Sequence, residues 1–273
     1  MRAGSMNLSG KKLWIFDVDN TLILDVEHPN PFDDALKLWN ALEKRDVTLA
    51  ILTNVGRLSG RQVHEALKKA GFNLPIENVY TAGAAAAAYI HNRSSGARCF
   101  IIGEGGAQED FVSHGLDVTN NPPIDYVAVG ADRGMTFQEL NFATKMVNQG
   151  ARLICISGSR DYPGVYLGQE DIYIGERSIV AAIEHATGVE AIVVGKPLPE
   201  IVIETVKILG FDTSESIIIG DNPRSDVAGG KAAGVTTVLV QRDPDNIVDF
   251  DSGDLDTTPD IDVTSLEELI EYL

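Results

Sequence analysis

Two aspartates two positions apart, Asp17 and Asp19 in "LWIFDVDNTL", end an apolar run. A carboxylate there can act as a nucleophile or a cation ligand, and a second one two residues on can give and take a proton. Further along, Thr53 and Asn54 close "LAILTN", Lys196 follows "AIVVG", and Asp221 and Asn222 follow "IIIG". Thr, Asn and Lys are donors suited to phosphate oxygens. Asp221 is an oxygen ligand for a hard cation such as Mg²⁺, which would also keep Asp17 ionised. Acids, a cation and fixed donors are the equipment for phosphoryl transfer, where charge on the equatorial oxygens must be stabilised.

Any single Asp or Asn after a strand is ordinary turn chemistry. Here four strand-like runs deliver polar residues to one edge, and ligands of an open parallel sheet bind at the carboxyl ends of its strands. Strand-like and helical runs alternate from end to end. "KLWIF" and "VTLAILTN" read as strands; "DDALKLWNALEKR" has helical spacing, with Leu36, Trp39 and Leu42 on one face. "GRQVHEALKKAG" is closed by Gly71, and "AGAAAAAYIHNR" is helical by its alanine content. "TFQELNFATKMVNQG" opens on a capping box of Thr136 and Glu139, and "SLEELIEYL" on one of Ser265 and Glu268. "RSDVAGGKAAG" is expected as a helix between the strands "SIIIG" and "VTTVLV". The acidic stretch Arg242 to Asp262 reads as a surface excursion. This alternation predicts an α/β fold with mostly parallel, Rossmann-like sheets.

The chain has 273 residues, 44% of them hydrophobic, and a net charge of −18. That is enough apolar content for a full core. The charge makes nucleic acid a poor partner. Cys99 and Cys155 each sit in a short apolar run and are expected to be buried and reduced. Trp14 and Trp39 read as core, and the five histidines have no metal-ligand spacing to cysteines or acids. With no membrane-length apolar stretch and no signal region at the start, a cytoplasmic protein without a membrane partner is expected. Met6 could be the natural start, with residues 1–5 an added segment.

"DVDNT", "LTN", "GKP" and "GDNPRSD" resemble the four motifs of the haloacid dehalogenase superfamily in its phosphatase branch. The resemblance covers nearly the whole chain. It implies that Asp17 attacks phosphorus to form an aspartyl-phosphate, and that Asp19 protonates the leaving alcohol and then activates water. Thr53 and Lys196, with Asn54 beside them, would hold the phosphoryl group. Mg²⁺ would sit on the Asp17 carboxylate, the Asp19 backbone carbonyl and the Asp221 carboxylate, with Asp226 and Asn222 behind. Asn20 stands where the family often has Gly, a position that Asn tolerates. Asp19 itself favours ester hydrolysis over dehalogenation, since a departing halide needs no proton and an alkoxide does.

From Thr53 to Lys196 there are 143 positions. An α/β insertion over 82–190 is therefore expected as a cap, with 1–81 and 191–273 as the core. That placement resembles the C2-capped, class IIA group of NagD-like and 4-nitrophenylphosphatase-like enzymes, as do "YTAGAAAAAYI", "VAVGADRGMTFQEL" and "IVAAIEHATG". "GEGG" is expected as a strand-to-helix turn. One departure stands out: "SGSRDYPGVYLGQEDIYIGERS" replaces the group's usual segment, so its substrate-contacting residue falls on Arg160 or Asp161. Arg160 would suit a second anionic group on the substrate, or it could pair with Asp161 on an exposed loop. The expected partner is a small phosphorylated metabolite of sugar phosphate, phosphoglycolate or nucleotide type, with 4-nitrophenyl phosphate also accepted. Relatives imply a homodimer through the cap. Two other functions stay open: a phosphometabolite-binding or regulatory protein, and a phosphotransferase.

Overall fold

A computed structural model describes residues 8–26, 28–166, 169–242 and 254–273. The expected start around Met6 and most of the acidic stretch after Arg242 lie outside the described residues. The strands run β1 (Leu13–Phe16), β2 (Thr48–Thr53), β3 (Val79–Thr81), β4 (Arg98–Ile102), β5 (Asp117–Val118), β6 (Tyr126–Val129), β7 (Arg152–Cys155), β8 (Asp161–Tyr166), β9 (Gln169–Ile174), β10 (Ile192–Val193), β11 (Ser216–Gly220), β12 (Thr236–Val240) and β13 (Ile261–Val263). The α-helices are α1 (Asp33–Leu42), α2 (Gly60–Lys69), α3 (Ala82–His91), α4 (Gly106–Ser113), α5 (Phe137–Asn148), α6 (Glu176–Thr187), α7 (Pro199–Ile208) and α8 (Ala228–Ala233).

The described residues form two compact units. One draws on Met1–Thr53, Val63–Tyr80 and Lys196–Leu273; the other on Asn54–Gln62 and Thr81–Gly195. The first is built on a six-stranded sheet of order β13-β12-β11-β1-β2-β3. Its central strand β1 pairs in parallel with β11 and β2, Phe16 lying opposite both Ile219 and Ile51. All four β1 residues are buried, as expected where both faces of a parallel sheet are covered. Helix α1 buries Ala35, Leu38, Trp39 and Leu42; Leu36, expected on that face, is half-buried and Leu38 takes the inner place. Trp39 stands between Phe16 (5.5 Å between ring centres) and Phe72 (5.3 Å, edge-on). Each such side chain contributes on the order of 2–3 kcal/mol by leaving water.

The second unit has a five-stranded sheet, order β10-β7-β6-β4-β5, and an antiparallel pair β8-β9. Strand alternation sends Cys99 and Ile101 to one face, among the alanines of α3 and Phe111 of α4. Phe100 and Ile102 go to the other, with Met146 and Ile183. Ala82, Ala86 and Ala87 are buried there, and their small side chains let α4 approach closely. Gly106 at the start of α4 has no room for a Cβ, which would lie 2.4 Å from the Arg57 carbonyl oxygen. "GEGG" is the expected strand-to-helix turn, with Gly105 at φ +64°. Both cysteines are free and buried.

Some elements differ from the sequence expectation. "RSDVAGGKAAG" is two pieces: a π-helical turn, Pro223–Val227, capped by the Asn222 side chain, and then the short α8. The last helix is 3₁₀, Leu266–Tyr272, although its Ser265–Glu268 capping box forms as expected. The acidic stretch ends in an edge strand, β13, paired with β12. The Arg160–Asp161 region, expected as a loop, opens the β8–β9 hairpin. No described helix is long and apolar enough to cross a membrane.

Candidate active site

Asp17 directly follows β1, and its amide extends the ladder to the Ile219 carbonyl at 2.9 Å. The pairing register brings the end of β1 level with the ends of β11 and β2. Polar residues at those ends therefore converge. Lys196 is expected at the end of a strand of this same sheet, but the strand before it, β10, belongs to the five-stranded sheet of the second unit; Lys196 reaches the site from the segment before α7 and is 1% exposed. Its Nζ donates to Asp17 Oδ1 at 2.9 Å, Asp226 Oδ1 at 2.5 Å and the Leu52 carbonyl at 2.8 Å. Burial alone would lower the lysine pKa, but Asp17 and Asp226 outweigh that and hold it protonated, above its ordinary value.

Carboxylate oxygens of Asp17, Asp221 and Asp226 lie within 4.8 Å of one another. Burial, with Asp226 and Asp17 close by, raises the Asp221 pKa well above the usual range. Three acids facing one lysine leave negative charge uncompensated, and their donors are all oxygen. That set fits a hard divalent cation. Asp226 is also fixed from behind: the Asn222 amide donates to its Oδ2 at 3.1 Å. The site of contact demands glycine at 220, where a Cβ would lie 2.2 Å from Asp226 Cγ. Asn222 uses its side chain to accept from the Arg224 and Ser225 amides, 2.9 and 3.2 Å.

Asp19 lies two residues further, where Val26 N donates to its Oδ1 at 2.9 Å. The next residue, Asn20, has φ +53°, the left-handed region expected from its place in the motif. Thr53 ends β2 and is 2% exposed. Asn54 is in the second unit, its Oδ1 packed over Gly195, where a Cβ would lie 2.7 Å away. Arg160 and Asp161 are also in the second unit, both exposed at the start of β8. The Arg160 carbonyl accepts from the Gly175 amide at 2.7 Å.

Two further charged residues, both largely buried, carry no motif. Arg242 stands just past β12, at the head of the acidic stretch, and only its place after a strand marks it. Glu176 opens α6 and is 3% exposed. Burial pushes its pKa up to about 7, against hydrogen bonds from its own amide, Ser157 and the Ala131 backbone.

Comparison with known proteins fits this arrangement. The family model described as haloacid dehalogenase-like hydrolase matches residues 14–117, and a second, HAD-hydrolase-like, matches 193–269. An acid sugar phosphatase of Staphylococcus aureus is 29% identical over 231 residues, covering 84% of this chain and 86% of the relative. The crystal structure of a 4-nitrophenylphosphatase from Thermotoga maritima superposes with a TM-score of 0.85 at 26% identity, over 97% of this chain and 98% of the other. A p-nitrophenyl phosphatase from Archaeoglobus fulgidus gives 0.86 at 27% identity, over 96% and 99%. The chain belongs to the haloacid dehalogenase-like hydrolases, in the branch that acts on phosphoric monoesters.

Proposed function

We propose that the chain is a Mg²⁺-dependent phosphatase of a small phosphorylated metabolite, of the sugar phosphate kind, working through an aspartyl-phosphate on Asp17. The observation that carries this is the buried Lys196, held between Asp17 and Asp226 by a hydrogen bond to each and by a third to the Leu52 carbonyl. A lysine so placed neutralises the attacking carboxylate and presents positive charge where phosphate oxygens would lie. Asp17 attacks phosphorus, and the P–O bond to the leaving group breaks. Asp19 gives its proton to the departing alcohol oxygen. It then takes a proton from the water that attacks the aspartyl-phosphate, releasing phosphate and restoring Asp17. Thr53 donates to a phosphoryl oxygen.

Asp17, the Asp19 carbonyl and Asp221 would hold the cation, with Asp226 behind them; when bound, Mg²⁺ supplies charge against the phosphoryl oxygens. The sugar phosphate class is suggested by the S. aureus relative, an acid sugar phosphatase. A core of 1–81 and 191–273, a cap of 82–190, a cytoplasmic location and a homodimer through the cap belong to the same reading.

The test is phosphate release from 4-nitrophenyl phosphate and a panel of sugar phosphates, phosphoglycolate and nucleotides, with and without Mg²⁺, beside Asp17→Asn. Turnover that needs Mg²⁺ and falls by roughly a thousandfold or more in the variant is expected. Turnover that survives the substitution, or no turnover by folded protein, overturns the reading.

A further inference from the structure

Asp19 is useful as an acid only if its carboxyl points one way, and its orientation comes from a loop. Val26 N holds Asp19 Oδ1, and that loop closes on itself through Leu24 N to the Asn30 carbonyl and Phe32 N to the Leu22 carbonyl, both 3.0 Å. Arg242 grips the loop at both ends. Its Nε donates to the Asn20 carbonyl (3.2 Å) and Nη2 to the Thr21 carbonyl (2.7 Å). Its Nη1 donates to Asp34 Oδ2 at 2.7 Å, and the guanidinium lies 4.0 Å over the Phe32 ring. Both charged side chains are largely buried, at 17% and 15% exposure.

Asp34 is anchored in turn. Leu266 N and Ser265 Oγ donate to the same Oδ2, at 2.7 and 3.2 Å. Burial would raise the Asp34 pKa, but Arg242 and the Leu266 and Ala35 amides hold it below its ordinary value, so the pair stays charged. A planar fork with donors in three directions suits this place.

We infer that Arg242 is a positioning residue for Asp19: by bonding the Asn20 and Thr21 carbonyls to Phe32 and Asp34 it fixes the loop that aims the acid. This rests on the role given to Asp19 above. It predicts a dependence on the leaving group. A sugar alkoxide needs a proton from Asp19 in order to depart, and 4-nitrophenolate leaves as a stable anion without one. Misplacing the acid therefore slows the first far more than the second.

The experiment measures kcat on glucose 6-phosphate and on 4-nitrophenyl phosphate for wild type, Arg242→Lys, Arg242→Ala, Asp19→Asn and the double variant Arg242→Lys/Asp19→Asn. Unfolding temperatures are read alongside. Lysine keeps the charge facing Asp34 but cannot span two carbonyls. Arg242→Lys is expected to stay folded and to lose about 10- to 100-fold on glucose 6-phosphate, with much less loss on 4-nitrophenyl phosphate. In the Asp19→Asn background it adds little, because the group it aims is gone. Equal losses on both esters, no loss, or losses that multiply in full with Asp19→Asn overturn the inference. If wild type releases phosphate from neither ester, the phosphatase reading itself fails and this inference falls with it; that outcome is distinct because Arg242 is then not at issue.

Discussion

Lys196 and Asp226, 30 positions apart, meet at 2.5 Å with each side chain only 1% exposed. Two opposite charges out of water stabilise a fold only while both remain. Asp226→Asn should lower unfolding stability by about 3–5 kcal/mol, since Lys196 keeps its charge and loses a partner. Lys196→Met combined with Asp226→Leu should recover most of that loss in urea unfolding, yet release no phosphate. An Asp226→Asn protein that unfolds at the wild-type urea concentration would show that the pair contributes nothing to the fold.

Gly220→Ala should damage the same pair without touching a charge. The added methyl would meet Asp226 Cγ and Oδ2 at 2.2 Å, so the carboxylate must move off Lys196. The expected outcome is a stability loss of about 1–3 kcal/mol and a collapse of turnover. Wild-type kcat in this variant would mean that Asp226 need not sit where it does.

Glu176 gives a pH dependence with a definite sign. Its folded pKa, about 7, lies above the ordinary 4.5, so the folded state favours the proton. Stability is therefore greatest below the unfolded value and falls as pH rises through about 7. Glu176→Gln, which mimics the protonated form, should unfold later than wild type at pH 8 by on the order of 3 kcal/mol. The difference should close as pH falls below about 4.5, where both states are protonated. A constant difference between the two proteins from pH 5 to 8 would refute a buried, titrating Glu176.

Cys99 and Cys155 should be inert in the native protein. Burial pushes each thiol up to about 12, and neither side chain reaches solvent. Ellman's reagent should find no rapid thiol in native protein and two after denaturation. Prompt labelling of one thiol under native conditions would mean that its face of the second sheet opens readily.

Local signals carried most of the fold. Apolar runs marked β1, β2 and β11, and both capping boxes form where Thr136–Glu139 and Ser265–Glu268 placed them. Asn20, standing where the family often has Gly, adopts a left-handed angle that Asn tolerates. Two of the misses, β13 and Arg242, depend on partners elsewhere in the chain, and the β8–β9 hairpin on residues that locally mislead. β13 is three residues beside acids and exists because β12 pairs with it. The β8–β9 hairpin runs through Pro163 and Gly164, which locally argue for a loop. Arg242 binds Asp34 from 208 positions away. No window around either residue holds that information. Asp17 and Asp221 are legible by type and by their places after β1 and β11, and Lys196 by type and motif alone, since the strand before it belongs to the other sheet; their hydrogen bonds leave no mark in the sequence. The Leu52 carbonyl, which accepts one of the lysine's hydrogen bonds, has no sequence mark at all.

That carbonyl has a consequence for assembly. Lys196 bonds to a backbone atom of β2, a carboxylate just past β1 and a carboxylate in the π-helical turn that follows β11. A slip of one residue between β1 and either neighbour would turn the Asp17 side chain to the opposite face of the sheet, away from the other two partners. One ammonium group thus acts as an alignment gauge for three strands, satisfied only when all three are threaded correctly. Misthreaded molecules would carry a stranded buried charge and be discarded energetically, so the fraction of active molecules in a preparation is also a measure of how faithfully the central sheet was assembled.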